Sequence, residues 1–282
     1  MGLRARFREL AIEVVGFIGI IARRIRRANV ASVIVMHEVK ELHYDMFNEV
    51  LAMIDTDMAI VSPEEFEGAM RVVGGSDKDM VMLTFDDGFQ SWVDVSRRVL
   101  EPMDIKALFF VDTGMIGRNG EDAVLYIEEK LERAGLSSEM SPITKEDIRY
   151  LRMAGHTIGS HGISHTRLSE LTREEIVREL ELSKQILEDI VGDKVEHYAY
   201  PFGTLESLSE VGIREAGRVY KYCYTGLRGS AHEGRIQGRQ ATIPRQAISL
   251  GEPMRNIRRM IKGDLNWLYC LKRYRVNMWT RS

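Results

Sequence analysis

The sequence predicts an α/β fold, and three observations carry that reading. Short apolar runs alternate with helical patterns through the middle of the chain without an internal repeat, as chains built of βα units do. The 282 residues, 44% of them hydrophobic, suffice for one sizeable core, and single α/β barrels fall in this size range. Polar residues stand directly after several apolar runs, where parallel α/β folds collect their active sites.

The chain opens with an apolar stretch over residues 10–22, flanked on both sides by arginines. It is too short to span a bilayer. Glu9, Glu13 and the basic run Arg23-Arg24-Ile25-Arg26-Arg27 do not fit a signal peptide. Residues 1–31 are therefore expected to form a retained basic amphipathic helix, either in peripheral contact with a membrane surface or packed on the domain. A cytoplasmic or membrane-peripheral location is favoured over an exported form.

Buried strands are expected at Ser32–Met36, Val81–Phe85, Ala107–Val111, His156–Ser160, His197–Tyr200 and Lys221–Thr225. Ser62-Pro63-Glu64-Glu65 and Thr172-Arg173-Glu174-Glu175 each carry a capping box and predict helix starts. The second helix shows Ile176, Leu180, Leu187 and Ile190 on one face and stops at Gly192. Another helix starts at Thr144 and ends by Gly155. The long stretch from Gly117 to Ser141 is expected to be an excursion over the mouth of the fold. The last residues, 251–282, form a basic, aromatic segment that resembles the N-terminus in character.

Composition excludes some functions. A net charge of −3, from 39 basic and 42 acidic residues, gives no bulk field to draw nucleic acid. Cys223 and Cys270 are too far apart to suggest a thiolate metal site or a disulfide framework.

The chemistry is concentrated after the apolar runs. Asp86, Asp87 and Gly88 follow Val81–Phe85; His161 and His165 follow the run ending at Ser160; Pro201, Phe202 and Gly203 follow Tyr200; His37 follows Met36. Adjacent aspartates after a buried strand are costly when they face only each other, because like charges raise one pKa. A cation removes that cost. Neutral His161 and His165 would complete an Asp-His-His set with open positions, the pattern of a catalytic rather than a structural metal site. The remaining aspartate would be free to act as a base. His156 and His197, at strand starts, are expected to be structural, and His232 to be solvated.

These residues resemble the polysaccharide deacetylase family with the NodB-homology domain, carbohydrate esterase family 4. Thr84-Phe85-Asp86-Asp87-Gly88 resembles its first motif and Ser160-His161-Gly162-Ile163-Ser164-His165 its second. Tyr198-Ala199-Tyr200-Pro201-Phe202-Gly203 is similar to the third motif of the branch with poly-N-acetylglucosamine deacetylases of biofilm exopolysaccharides. The likeness runs from about Ser32 to about Ile248, within a catalytic domain read as residues 32–250. It implies a distorted, incomplete (β/α) barrel. It also implies Asp86 as general base, Asp87, His161 and His165 as ligands of a divalent metal, usually Zn2+, and an oxyanion donor in the Phe202 N–H placed by Pro201, with Tyr200 beside it.

Two departures from the family pattern stand out. Ala199 and Tyr200 occupy the place of the arginine that orients the base, for which Arg245 in Ile243-Pro244-Arg245 is a candidate; the late acid-supplying Leu-x-His is absent, and the likeness to the biofilm branch, where an early histidine takes its place, implies His37. The resemblance thus implies a hydrolase acting on carbon–nitrogen amide bonds, removing acetyl groups from sugars in a poly- or oligosaccharide. The alternatives are a deacylase of a lipid-linked amino sugar and a carbohydrate-binding relative without turnover. The exact sugar and the oligomeric state are not set by the sequence.

Overall fold

The computed structural model describes residues 30–71, 79–132, 140–231 and 240–280. His232 and all but the last two residues of the expected N-terminal helix lie outside them. Among the described residues the backbone of the fold is a sheet of nine strands in which every pairing is parallel. The six expected strands are present as β1 (Ala31–Met36), β3 (Met80–Asp87), β4 (Leu108–Val111), β5 (Thr157–Ser160), β6 (His197–Ala199) and β7 (Tyr222–Tyr224). Three short ones were not foreseen: β2 (Ala59–Ile60), β8 (Gln240–Ile243) and β9 (Gln246–Ala247). Each is too short, or too polar, to show as an apolar run.

The strand order is β8-β7-β6-β5-β4-β3-β1-β9, with β2 paired beside the start of β3. The two ends of that order are neighbours in sequence. Gln240–Ile243 pairs with β7, and Gln246–Ala247 pairs with β1. The sheet therefore curls until a single stretch of chain touches both of its edges. Pro244 and Arg245 sit at the seam, and the Arg245 N–H donates to the Leu227 carbonyl at 3.0 Å.

Both faces of the sheet are buried, as a parallel sheet covered by crossovers requires. All eight residues of β3 are buried. Ala31, Val33, Met80, Met82, Leu108 and Phe110 pack inside the curl, joined by Phe66 and Met70 of α2 (Pro63–Arg71). Ile34, Val81, Leu83, Phe85 and Phe109 pack outward against α1 (Tyr44–Asp57) and α3 (Ser91–Val95), which bring Phe47, Leu51 and Trp92. This strict alternation is what sets the direction of the first catalytic candidate below.

The excursion after β4 carries α4 (Gly120–Lys130) and returns to α5 (Lys145–Met153), whose start is the Thr144–Asp147 capping box. The other two capping boxes form as expected. The Glu65 carboxylate accepts from the Ser62 N–H at 2.8 Å ahead of α2, and Thr172 with Glu175 caps α6 (Arg173–Val191). Gly192, with φ of 68°, ends α6. After α7 (Glu210–Val219) and the last strands, α8 (Met254–Ile261) and α9 (Cys270–Met278) follow. Ile257, Met260, Ile261 and Val276 enter the same core as the sheet, so the C-terminal segment is packed on the domain.

Candidate active site

The carboxyl ends of β1, β3, β5, β6 and β8 bring His37, Asp86, Asp87, His161, Phe202 and Arg245 to one end of the sheet. Asp86 continues the inward set Met80, Met82, Thr84, so its carboxylate enters the curl. Alternation alone would send Asp87 to the opposite face. Instead Asp87 has φ of 90° and Gly88 φ of 124°, a break in the pleat that returns the Asp87 carboxylate to the side of Asp86. Backbone in the left-handed region recurs at His165 (46°) and Phe202 (60°). Such conformations cost about 1–3 kcal/mol each and persist where the surroundings enforce them.

Asp87, His161 and His165 converge. The Asp87 Oδ1 lies 3.6 Å from His161 Nε2 and 3.4 Å from His165 Nε2. Their ligand atoms all fall within 4.8 Å of one another and all three residues are buried. Each ring is fixed from behind. The Nδ1 of His161 bonds the Ala199 carbonyl at 2.8 Å, and the Nδ1 of His165 bonds the Lys130 carbonyl at 2.8 Å. A carbonyl only accepts, so Nδ1 carries the proton and Nε2 of the neutral ring points its lone pair inward. Oxygen and imidazole donors at this spacing suit a divalent transition metal such as zinc.

The electrostatics fit a cation as well. Burial pushes the His161 pKa down to about 4, which keeps that ring neutral. Burial acts the same way on His165, but the hydrogen bond and charge of Asp87, with the charge of Asp112, outweigh it and raise its pKa.

Asp86 is held differently. Arg245 donates from Nη1 to Oδ1 at 2.7 Å and from Nη2 to Oδ2 at 2.6 Å, with both residues buried. This is a bidentate fork, which fixes the plane of the carboxylate as well as its charge. The arginine is itself anchored through Nε to the Thr225 carbonyl at 3.1 Å. Burial would raise the Asp86 carboxyl, but Arg245 and His161 overcome it and hold the carboxyl below its ordinary range. Asp86 Oδ2 stands 4.0 Å from His161 Nε2, so the base candidate borders the metal candidates.

His37 is half-buried at the end of β1; its carbonyl accepts from the Trp92 indole at 2.9 Å, and its charge is felt at Asp86. Pro201 is buried, and its carbonyl accepts from Gly203 at 2.7 Å, closing a tight turn over Phe202. No described residue accepts from the Phe202 N–H. The Phe202 ring lies 4.6 Å from the His165 ring and under the Arg167 guanidinium, 3.9 Å away.

Tyr200 calls for a correction. Its side chain is fully buried, its hydroxyl donates to the Ala241 carbonyl at 2.8 Å and its N–H to the Tyr224 carbonyl at 3.0 Å, so the ring supports the core rather than facing a ligand.

His156 and His197 are structural, as expected. His156 bonds Ser96 and the Ala107 N–H; His197 bonds Glu67 and Tyr224.

Three supporting residues escaped the sequence reading. Glu179 of α6 accepts from the Ile163 and Ser164 N–H groups and the Ser164 hydroxyl at 2.7–3.2 Å, pinning the loop between the two histidines. Its sequence signal is a carboxylate beside the apolar face of Ile176, Leu180 and Leu187. Asp112 directly follows β4, and burial pushes its carboxyl up to about 7. The Tyr126 hydroxyl donates to it at 2.7 Å and ties α4, with its Lys130 carbonyl, to this end of the sheet.

A family model described as polysaccharide deacetylase matches residues 74–220. YheN of Bacillus subtilis (strain 168), named for polysaccharide deacetylation, is 29% identical over 135 residues, 48% of this chain and 39% of that protein. The chain thus spans well under half the length of that relative. The solved structure of the Streptococcus pyogenes deacetylase PplD, in complex with acetate, superposes with a TM-score of 0.63 at 20% identity, over 83% of this chain and 99% of that one. IcaB from Ammonifex degensii does so with a TM-score of 0.59 at 18% identity, over 90% and 98%. These likenesses establish a shared fold.

Proposed function

This chain belongs to the polysaccharide deacetylase family, and from that premise we propose that it hydrolyses the amide bond of N-acetylated sugars in a poly- or oligosaccharide. The observation that carries the reading is the buried Asp86 carboxylate, forked by Arg245 and set 4.0 Å from a histidine of the Asp87, His161, His165 cluster. A carbohydrate binder without turnover has no use for a desolvated, oriented base beside such a cluster.

Asp87, His161 and His165 would hold the divalent ion, which when bound supplies a Lewis acid to the acetamide carbonyl and the attacking water. Asp86, ionised and oriented by Arg245, takes a proton from the water as its oxygen attacks the carbonyl carbon. The Phe202 N–H donates to the carbonyl oxygen as negative charge develops there. His37 delivers a proton to the sugar nitrogen as the carbon–nitrogen bond breaks. Acetate and a free amine leave.

The test is acetate release by the purified full chain from N-acetylglucosamine oligomers, with zinc or cobalt added. Turnover is expected, and Asp86→Asn is expected to abolish it while metal content stays. A metal-loaded protein inactive on polymeric, oligomeric and lipid-linked N-acyl sugars overturns the reading.

A further inference from the structure

The C-terminal helix α9 and the turn before it expose large apolar side chains. Leu271, Tyr274 and Met278 fall at steps of three and four residues, which places them on one stripe of α9, and Trp267, in the tight turn just before it, is exposed beside them. Leu271 is 79% exposed, Tyr274 64% and Leu268, beside the stripe, 49%. The opposite side of α9 is the packed one, where Val276 enters the core and Arg273 is buried.

The segment is basic in composition. From Pro253 to the end, the sequence carries eight arginines and lysines against the single acidic Asp264; of these, Arg258 and Lys262 pair with Asp57, Lys272 pairs with Glu206 and Arg273 is buried, while Arg275 is exposed beside the stripe. Lys272 flanks the stripe as well and is exposed. Apolar and aromatic side chains in a row, bordered by cations, match the depth profile of an anionic bilayer surface, with Trp and Tyr at headgroup level. Among the described residues no helix is long and apolar enough to cross a membrane.

The position of α9 adds a second, independent observation. Arg273 donates to the carbonyls of Arg228 and Asn266, and Lys272 pairs with Glu206 at 3.4 Å. Glu206 and Arg228 lie in the loops that follow β6 and β7. Those loops are at the carboxyl end of the sheet, the end that holds Asp86, His161 and Phe202. The exposed stripe is therefore carried beside the mouth of the candidate active site.

We propose that the Trp267–Met278 face docks on an anionic bilayer surface and holds the mouth close to membrane-associated amino sugars. The docking itself is independent of turnover; the substrate part rests on the deacetylase reading above.

Co-sedimentation of the full chain tests it, with vesicles of phosphatidylcholine alone or mixed with phosphatidylglycerol. The expected result is binding to the mixed vesicles only, weakened by added salt. Leu271→Glu combined with Tyr274→Glu is expected to weaken it at least tenfold, while acetate release from soluble oligomers stays unchanged. A circular-dichroism melt matching the parent's shows that the variant folds. Equal vesicle binding by parent and variant overturns the proposal. So does a chain that ignores the vesicles but forms a dimer that the two substitutions dissociate, since the face then belongs to a second copy. Loss of acetate release in the parent, with vesicle binding retained, removes the substrate part alone.

Discussion

Arg245 grips both oxygens of Asp86 across 159 residues of sequence, and the fork joins the seam of the sheet to the end of β3. Arg245→Lys keeps a positive charge but removes the planar pair of donors. The variant should lose roughly a hundredfold in kcat/KM, with metal content unchanged. Since Arg245 lowers the Asp86 pKa, its loss should also move the acid limb of the pH–activity profile to higher pH. A variant with parental kcat/KM and pH profile would show the fork to be merely structural.

The two histidines should behave as ligands and Glu179 as their support. His161→Ala and His165→Ala should each weaken zinc binding beyond roughly a hundredfold, because changes to supporting groups alone cost about 10–100-fold. Glu179→Gln removes the charged acceptor of the intervening loop and should fall within that smaller range. Isothermal titration of the metal-stripped proteins with zinc measures both. Equal losses in all three variants would mean that the loop, not the ligand atoms, was being read.

Tyr126→Phe probes the excursion. It deletes the hydroxyl that donates to the buried Asp112 and ties down α4. A cost of about 1–3 kcal/mol in unfolding free energy is expected, as for a buried acceptor left without its donor. Urea denaturation reports it. A change below the error of that measurement would show that Asp112 finds another donor.

His156 offers a pH test away from the active end. Burial lowers its pKa from 6.5 to about 4, so the folded state binds this proton less readily than the unfolded chain. Its contribution is intact above pH 6.5 and is lost as pH falls toward 4, by up to about 3 kcal/mol. Urea denaturation across that window should show a steeper acid loss in the parent than in His156→Gln. Parallel curves would exclude the assignment.

The strands that were legible in sequence are those buried on both faces, such as Val81–Phe85 and Ala107–Val111, because burial demands a continuous apolar run. Gln240–Ile243 and Gln246–Ala247 escaped notice for the converse reason: they are short and polar at their ends, and their pairing with distant edges defines them as strands. The aspartates and histidines were legible because βα order puts them after such runs. Glu179 and the Lys130 carbonyl were not, since one sits mid-helix and the other is backbone, with no residue type to mark it.

The sequence by itself set Asp86 and Asp87 at the end of the apolar run of β3, His161 and His165 after β5, and the capped helix starts. Only the tertiary structure decided that Arg245 reaches Asp86, that Tyr200 turns into the core, and that Asp87 breaks the pleat to join its neighbour. The physical reason is that alternation and capping are local rules, read within a few residues. The closure of a curled sheet brings together segments whose separation in sequence carries no trace of their contact.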